Sequence, residues 1–175
     1  GTPGVYTLTF KVKDKSGNAA TPVVRTVRVV DEVAPVITLK GEQSVTIKVG
    51  ENYEDAGATA NDDVDGDITQ SIEITGLIVT GTPGVYTLTF KVKDKSGNAA
   101  VSVVRTVRVV DEVAPVITLK GEQSVTVNVG ENYEDAGATA NDDVDGDITQ
   151  SIEITGLIIT GTPGVYTLTY NVKDE

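Results

Sequence analysis

Four aspartates within six residues form the most acidic segment of the sequence, and the segment occurs twice. The letters NDDVDGDIT run from Asn61 to Thr69 and again from Asn141 to Thr149. Carboxylate oxygens are the ligands that hard cations such as Ca²⁺ prefer. The spacing follows the first half of a DxDxDG calcium loop when Asn61 is its first position, because Asp63 and Asp65 then fall at positions 3 and 5.

The second half of the loop departs from that motif. Ile72 stands where the twelfth position of a helix–loop–helix site carries a bidentate Glu, and no helical pattern flanks the segment. One interpretation is a Ca²⁺ site formed by the loops together with the acidic residues that precede each repeat. Its candidate ligands are Asp31, Asn61, Asp62, Asp63, Asp65, Asp67, Asp111, Asn141, Asp142, Asp143, Asp145 and Asp147. The other interpretation is a solvated turn, in which these side chains accept backbone N–H groups and limit association between similar neighbours.

The composition argues against catalysis. The 175 residues include no Cys and no His, which removes disulfides, thiolate metal sites and the usual general base. No phosphate-binding loop, nucleophile elbow or pair of glycosidase carboxylates stands in a recognisable setting. We therefore expect that the chain is not an enzyme.

The net charge and the short apolar runs limit which binding partners are expected. The chain has 26 acidic and 14 basic side chains, a net charge of −12, so nucleic acid is not an expected partner. Its apolar runs are too short to span a bilayer, and none has the form of a signal peptide.

An 80-residue repeat organises the chain. The letters GTPGVYTLT begin at Gly1, Gly81 and Gly161, which lie 80 positions apart. Residues 1–95 laid on 81–175 differ at only eight positions. The segment VVDEVAPV, with its charged pair and its proline, is the natural connector. It divides the chain into the end of one module (1–32), a complete module (33–112) and a module without its last strand (113–175).

Strand patterns fill each module. In Gly84–Asp94, Leu88 and Phe90 belong to an apolar set that alternates with polar residues, which predicts a strand with one face in the core. A second long strand is predicted over Ala100–Val110, with Arg105 on its exposed side. About seven short strands in each module, separated by Gly, Asn and Asp turns, predict a small all-β sandwich.

The motifs taken together resemble a known family. The segments APVITLKG, VGENYEDAGATANDDVDGDIT, GTPGVYTLTFKVKDKSGNAA and RTVRVVD resemble the bacterial surface-protein Ig-like repeat, which is related to hyalin repeats. The resemblance covers the complete module and both partial ones. It implies tandem immunoglobulin-like β-sandwiches without catalytic residues, used as stalks or spacers in secreted and wall-anchored adhesins and in extracellular enzymes.

An immunoglobulin-like strand order predicts where the acidic residues meet. The loop 61–67 and the turn 94–98 fall at the pole where the chain enters, together with Asp31, although the turn 94–98 is interpreted as an ordinary hairpin turn. The turn 50–57 should face the next connector at Asp111. Carboxylates would then converge at every junction, and Ca²⁺ bound there would stiffen the array.

Two functions follow as predictions. The first is a bacterial spacer or stalk at the cell surface or outside the cell, whose partners are neighbouring repeats or other copies of the chain in a fibre. The alternative is a calcium-dependent adhesive module that binds glycan or protein.

Overall fold

Strands and two 3₁₀ turns make up the regular structure of residues 2–173, the part of the chain that this computed structural model describes. The strands are β1 (Gly4–Phe10), β2 (Val23–Val29), β3 (Val36–Leu39), β4 (Ser44–Lys48), β5 (Ala58–Asp62), β6 (Gly66–Asp67), β7 (Glu73–Thr75), β8 (Gly84–Lys91), β9 (Val103–Val110), β10 (Val116–Leu119), β11 (Ala138–Asp142), β12 (Gly146–Asp147), β13 (Glu153–Thr155) and β14 (Thr169–Asn171). The 3₁₀ turns span Thr69–Ser71 and Thr149–Ser151. The chain forms two compact units, residues 1–109 and 110–175.

The first unit contains a β-sandwich of seven strands. Its sheets have the orders β3-β5-β6 and β4-β9-β8-β7. The pairs β3–β5, β5–β6, β7–β8 and β8–β9 are antiparallel. The all-β, immunoglobulin-like fold predicted from the strand patterns and the family resemblance is confirmed.

The core lies between these two sheets. Ile37, Ala58 and Ala60 of one sheet cluster with Leu88 and Phe90 of the other. The inward set of β8 follows the two-residue period of a strand, as its sequence predicts. The Phe90 side chain is fully buried, which stabilises the fold by about 2–3 kcal/mol.

The prediction that Arg105 lies on the exposed side of its strand is wrong, because Arg105 is buried. Its exposed fraction is 1%, and its Nη1 donates to Oδ2 of Asp55 at 2.6 Å. Its Nε donates to the carbonyl oxygen of Glu42 at 2.9 Å, and its Nη2 donates to the carbonyl oxygen of Lys40. These acceptors make burial of the guanidinium possible. The residue shares the inward alternation of Val107, and that signal outweighs its charge.

The hairpin of β1 and β2 shows how much of the fold is local. It pairs Gly4 with Val29, the same register in which β8 and β9 pair Gly84 with Val109. Its apolar face is open, however: Phe10 is 54% exposed, whereas the equivalent Phe90 is 0% exposed. The hairpin sequence therefore sets its own register, and its burial depends on a facing sheet.

The second unit repeats part of the sandwich. The sheet β10-β11-β12 repeats β3-β5-β6, and β13 pairs with β14. Residues 124–128 repeat β4 with two substitutions, yet they do not form a strand. The reason is pairing, because β4 lies beside β9 and the described part of this unit contains no counterpart of β9.

Candidate metal centre

Three carboxylates from three separate segments lie together in the first unit. Asp31 belongs to the connector after β2, Asp62 is the last residue of β5, and Asp94 follows β8. Each offers a carboxylate oxygen, and these oxygens lie within 4.8 Å of one another. We call this group the aspartate cluster. It joins the connector to both sheets of the sandwich.

Asp62 is placed by the alternation of its strand. Ala58, Ala60 and Asp62 all point inward, so a carboxylate follows two alanines into the buried side of the sheet. The exposed fraction of Asp62 is only 3%. Its Oδ1 accepts the N–H groups of Val64 and Asp65 at 2.9 and 2.8 Å, which forms the turn after β5. Its Oδ2 is buried and accepts no hydrogen bond within the described chain.

Asp94 is placed by the turn 94–98. The N–H of Asn98 donates to Asp94 Oδ1 at 2.7 Å, and Nδ2 of Asn98 donates to Asp94 Oδ2 at 2.7 Å. The same Nδ2 also donates to the carbonyl oxygen of Asp31 at 3.2 Å. Asn98 therefore connects the turn to the connector, and Asp94 is buried beside both.

The connector presents Asp31 in a local turn of its own. Its Oδ1 accepts the N–H of Val33 at 3.1 Å. Its Oδ2 is buried and has no hydrogen-bond donor within the described chain. The aspartate cluster thus contains two buried oxygens, on Asp31 and Asp62, without a partner. Buried polar atoms in folded proteins normally have one, and the exceptions often mark a water or an ion.

The negative charge of the aspartate cluster also favours a bound cation. Among residues 2–173, none of its three carboxylates takes part in an ion pair with Lys or Arg. Two like charges about 5 Å apart repel by roughly 3 kcal/mol at an effective dielectric constant near 20. A divalent cation between them reverses the sign of this interaction. Oxygens on opposite sides of one Ca²⁺ lie about 5 Å apart, so the spacing in the cluster suits that ion.

The structure brings together only some of the residues predicted from the acidic loop. Asp65 lies against the turn 94–98, where its Oδ2 accepts the N–H of Lys95 at 2.8 Å and its Oδ1 pairs with Lys95 Nζ at 3.1 Å. The N–H of Lys95 holds the pKa of Asp65 below its usual range. Asp67 accepts the N–H of Thr69 at 2.9 Å, and hydrogen bonds from Thr69 lower the pKa of Asp67. Asp63 is exposed.

Neither Asp63, Asp65 nor Asp67 belongs to the aspartate cluster. Asn61 is also exposed, and its Nδ2 donates to the main-chain oxygen of Asp62 at 3.5 Å. The loop is therefore a hydrogen-bonded turn along most of its length, and only its first aspartate reaches the connector.

The second unit contains a related group. Asp111, Asp142 and Asp143 offer oxygens within 4.8 Å of one another. Asp142 is 4% exposed, and its Oδ1 accepts the N–H groups of Val144 and Asp145 at 2.8 and 3.0 Å, which lowers the pKa of Asp142. As in the first unit, Oδ2 of Asp111 and Oδ2 of Asp142 are buried without a hydrogen-bond partner.

The remaining predicted residues of the second unit lie outside this group. Asp147 accepts the N–H of Thr149 at 3.0 Å, and Asp145 is exposed. Asn141 donates to the main-chain oxygen of Asp142 at 3.2 Å. Asp174, the repeat equivalent of Asp94, lies outside the described residues.

Sequence reasoning missed Asp94 as a member of the cluster. The pattern contained a signal, because Asp94 continues the inward alternation of Phe90 and Val92 past the end of β8. A turn rich in Asp, Ser, Gly and Asn favours a surface hairpin, so the sequence predicted that Asp94 is exposed.

The chain belongs to the family described as "Bacterial surface protein, Ig-like domain", whose model matches residues 37–109 and 117–175. It is thus an extracellular or cell-surface domain, of a family that is typically non-catalytic. Within the described residues, no helix has the length and apolar character needed to cross a membrane.

Individual proteins are similar to this chain in sequence or fold over part of their length. An "Uncharacterized 81.3 kDa protein" of Acholeplasma phage L2 is 30% identical over 185 residues, 99% of this chain. The chain spans only 24% of that relative's length. The lipoprotein BT2262 from Bacteroides thetaiotaomicron is 25% identical over 49% of this chain and 45% of its own, with a TM-score of 0.41.

A third similarity is to a structure of CBM51-2 in complex with GlcNAc and INT domains from Clostridium perfringens ZmpB. It is 28% identical over 50% of this chain and 20% of its own, with a TM-score of 0.37.

Proposed function

We propose that this chain is a spacer segment of a bacterial cell-surface or extracellular protein, in which repeated sandwiches set the length of a stalk or fibre. The observation that carries the proposal is the near-identity of the repeats, which differ at eight positions between 1–95 and 81–175. Loops that select a ligand usually differ from module to module, whereas a rod needs the same unit again. The proposed partners are the neighbouring repeats, and other copies of the chain where a fibre forms.

The way the connector meets the sandwich supports this role. The carbonyl oxygen of Asp31 accepts a hydrogen bond from Asn98, and the Asp31 carboxylate lies beside Asp62 and Asp94. Pro35, a few residues further along, is buried, and a proline restricts the backbone before it. A connector held in this way transmits the direction of the chain into the module, as a stalk requires.

The length of each module can be stated from its strands. The eight residues of β8 extend over about 26 Å. Each additional module should therefore lengthen an extended array by at least about that distance.

Inserting further copies of 33–112 between residues 112 and 113 tests the proposal. Small-angle scattering should show that the maximum dimension increases by the same amount, at least about 25 Å, for each copy added. A matched control replaces the inserted module by a Gly/Ser segment of 80 residues, which adds a flexible coil without a fixed increment. A maximum dimension that stays constant or rises irregularly with copy number would contradict the spacer role.

A further inference from the structure

We propose that Asp31, Asp62 and Asp94 bind one Ca²⁺, and that this ion clamps the connector to the sandwich that follows it. The biological consequence, a stiffer stalk, rests on the proposed spacer function. The binding site itself does not, because it follows from the geometry of these three side chains alone.

Two buried carboxylate oxygens of the aspartate cluster lack a hydrogen-bond partner within the described residues. Oδ2 of Asp62 is buried in a residue that is 3% exposed, and Oδ2 of Asp31, a residue of the same cluster, is buried too. Every hydrogen bond that the described protein supplies to these two carboxylates goes to their Oδ1 atoms. Two buried acceptors with negative charge therefore lack a partner, and they belong to a cluster in which the Asp94 carboxylate lies within reach of the same cation.

The chemistry of the ligands identifies the ion. The donors are carboxylate oxygens, and the sequence has no Cys or His that would favour a softer metal. Ca²⁺ accepts six to eight oxygens with flexible geometry, and water can complete the three protein ligands. Mg²⁺ usually takes one or two carboxylates and demands a near-ideal octahedron. Three carboxylates from three chain segments therefore favour Ca²⁺.

The bound ion changes how firmly the connector is held against the sandwich. The turn after β5 is held by Asp62 Oδ1, and the turn 94–98 is held by Asn98, so both turns are complete without a metal. Between the connector and these turns, the hydrogen bond from Asn98 to Asp31 is the link that the structure records within the described residues. The ion adds a second link at the same place, so its effect falls on the mobility of the connector.

The second unit repeats the two unpartnered oxygens at Asp111 and Asp142, with Asp143 beside them. The full chain is therefore expected to bind two Ca²⁺ ions, one in each unit. This gives an internal reference for the stoichiometry, because a change in one unit leaves the other site in place.

Calorimetric titration of the metal-free 175-residue chain with CaCl₂ tests the site. We expect two bound ions with Kd values in the range of about 10⁻⁴–10⁻³ M, and binding of Mg²⁺ at least about tenfold weaker. D62N and D94N should each reduce the stoichiometry to one ion, and D142N should remove the other. D31N is a second route to the same result, because it alters the connector and leaves the core of the sandwich intact.

The matched control is D14N. The turn Asp14–Asn18 has the same letters as Asp94–Asn98 and repeats its internal hydrogen bonds, but Asp14 is exposed and belongs to no cluster among the described residues. D14N should therefore keep both ions. Absence of Ca²⁺ binding up to about 10 mM, or variants of the cluster that bind like the unchanged chain, overturns the proposal. An equal loss in D14N and D94N overturns it too, because it indicates a diffuse charge effect.

Hydrogen exchange separates the clamp from the spacer role. Ca²⁺ should slow exchange at the connector N–H of Val33 at least about tenfold in the unchanged chain and not in D94N. If Ca²⁺ fails to bind but scattering still shows a fixed increment per module, the spacer role is supported and the Ca²⁺ site is contradicted. If Ca²⁺ binds with the expected stoichiometry but scattering shows no fixed increment per module, the Ca²⁺ site is supported and the spacer role is contradicted.

Discussion

Buried Arg105 and half-buried Asp55 form an ion pair that joins the last strand of the complete sandwich to the segment before β5. Nη1 of Arg105 lies 2.6 Å from Oδ2 of Asp55, and the hydroxyl of Tyr53 donates to the same oxygen at 2.8 Å. The guanidinium also lies 5.8 Å from the centre of the Phe90 ring. The pair therefore links a strand, a connecting segment and the core.

Replacing this arginine should destabilise the sandwich. R105M leaves Asp55 without its cation and removes the hydrogen bonds that Arg105 donates to the carbonyl oxygens of Glu42, Lys40 and Gly57. We expect the free energy of unfolding to fall by about 3 kcal/mol. Urea unfolding followed by circular dichroism measures the change. R25M is the control, because Arg25 occupies the same place in the uncovered hairpin and is exposed. Equal effects of the two substitutions would contradict the role assigned to Arg105.

The same pair predicts how stability depends on pH. Burial of Asp55 raises its pKa, but hydrogen bonds from Tyr53, the N–H of Gly57 and Arg105 outweigh it and hold the pKa below the ordinary value of 3.8. The folded pKa is thus lower than the unfolded one. The stabilisation is complete above the unfolded value and is lost as pH falls through the folded pKa.

Unfolding in urea between pH 6 and pH 2 should therefore show a loss of stability that begins near pH 4. D55N removes the titrating group, so its stability should be lower at pH 6 and should decline less steeply in acid. A D55N chain whose acid slope equals that of the unchanged chain would show that other carboxylates control the transition.

Phe90 and Phe10 offer a direct measure of burial. F90A removes a fully buried ring, and we expect it to lower the free energy of unfolding of the sandwich by about 3–5 kcal/mol. F10A changes the identical position of the exposed hairpin and should cost less than about 0.5 kcal/mol. Thermal unfolding by calorimetry compares the two, and a large effect of F10A would mean that the hairpin has a cover in solution.

Gly76 allows no side chain. A Cβ atom there would lie 2.1 Å from the carbonyl oxygen of Thr87, and its φ of +118° is unfavourable for other residues. We expect G76A to destabilise the sandwich by about 2–4 kcal/mol. Gly97 has a φ of +97° but open space around it, so G97A should cost only about 1 kcal/mol. Midpoints of urea unfolding show which substitution destabilises the sandwich more. If G97A were as destabilising as G76A, backbone strain alone would account for both effects.

The fold was largely predictable because strand alternation and turn residues are local signals. The exposed hairpin illustrates this, since it keeps the register of β8 and β9 without a facing sheet. The two buried charges were harder to predict. Arg105 and Asp94 share the inward alternation of their apolar neighbours, but a charged residue on the inner face is expected only when its partners are known. Asp55, which pairs with Arg105, and Asp31, which lies beside Asp94 in the aspartate cluster, are distant from them in sequence.

The candidate site was partly predictable for the same reason. Asp31 and Asp62 were both among the expected ligands, and the topology that brings connector and loop to one pole was the argument for them. The spacing of Asp63, Asp65 and Asp67 suggested a continuous loop site. Lys95, thirty residues away from Asp65, takes that carboxylate instead, and no local pattern reveals such a contact.

The identical hairpins have a consequence for refolding. The strand sequences of β1 and β2 are the same as those of Gly84–Phe90 and Val103–Val109, so either hairpin can seat itself against β3, β5 and β6. Sameness along the chain thus creates domain-swapped competitors during assembly, and an array with more copies faces proportionally more of them.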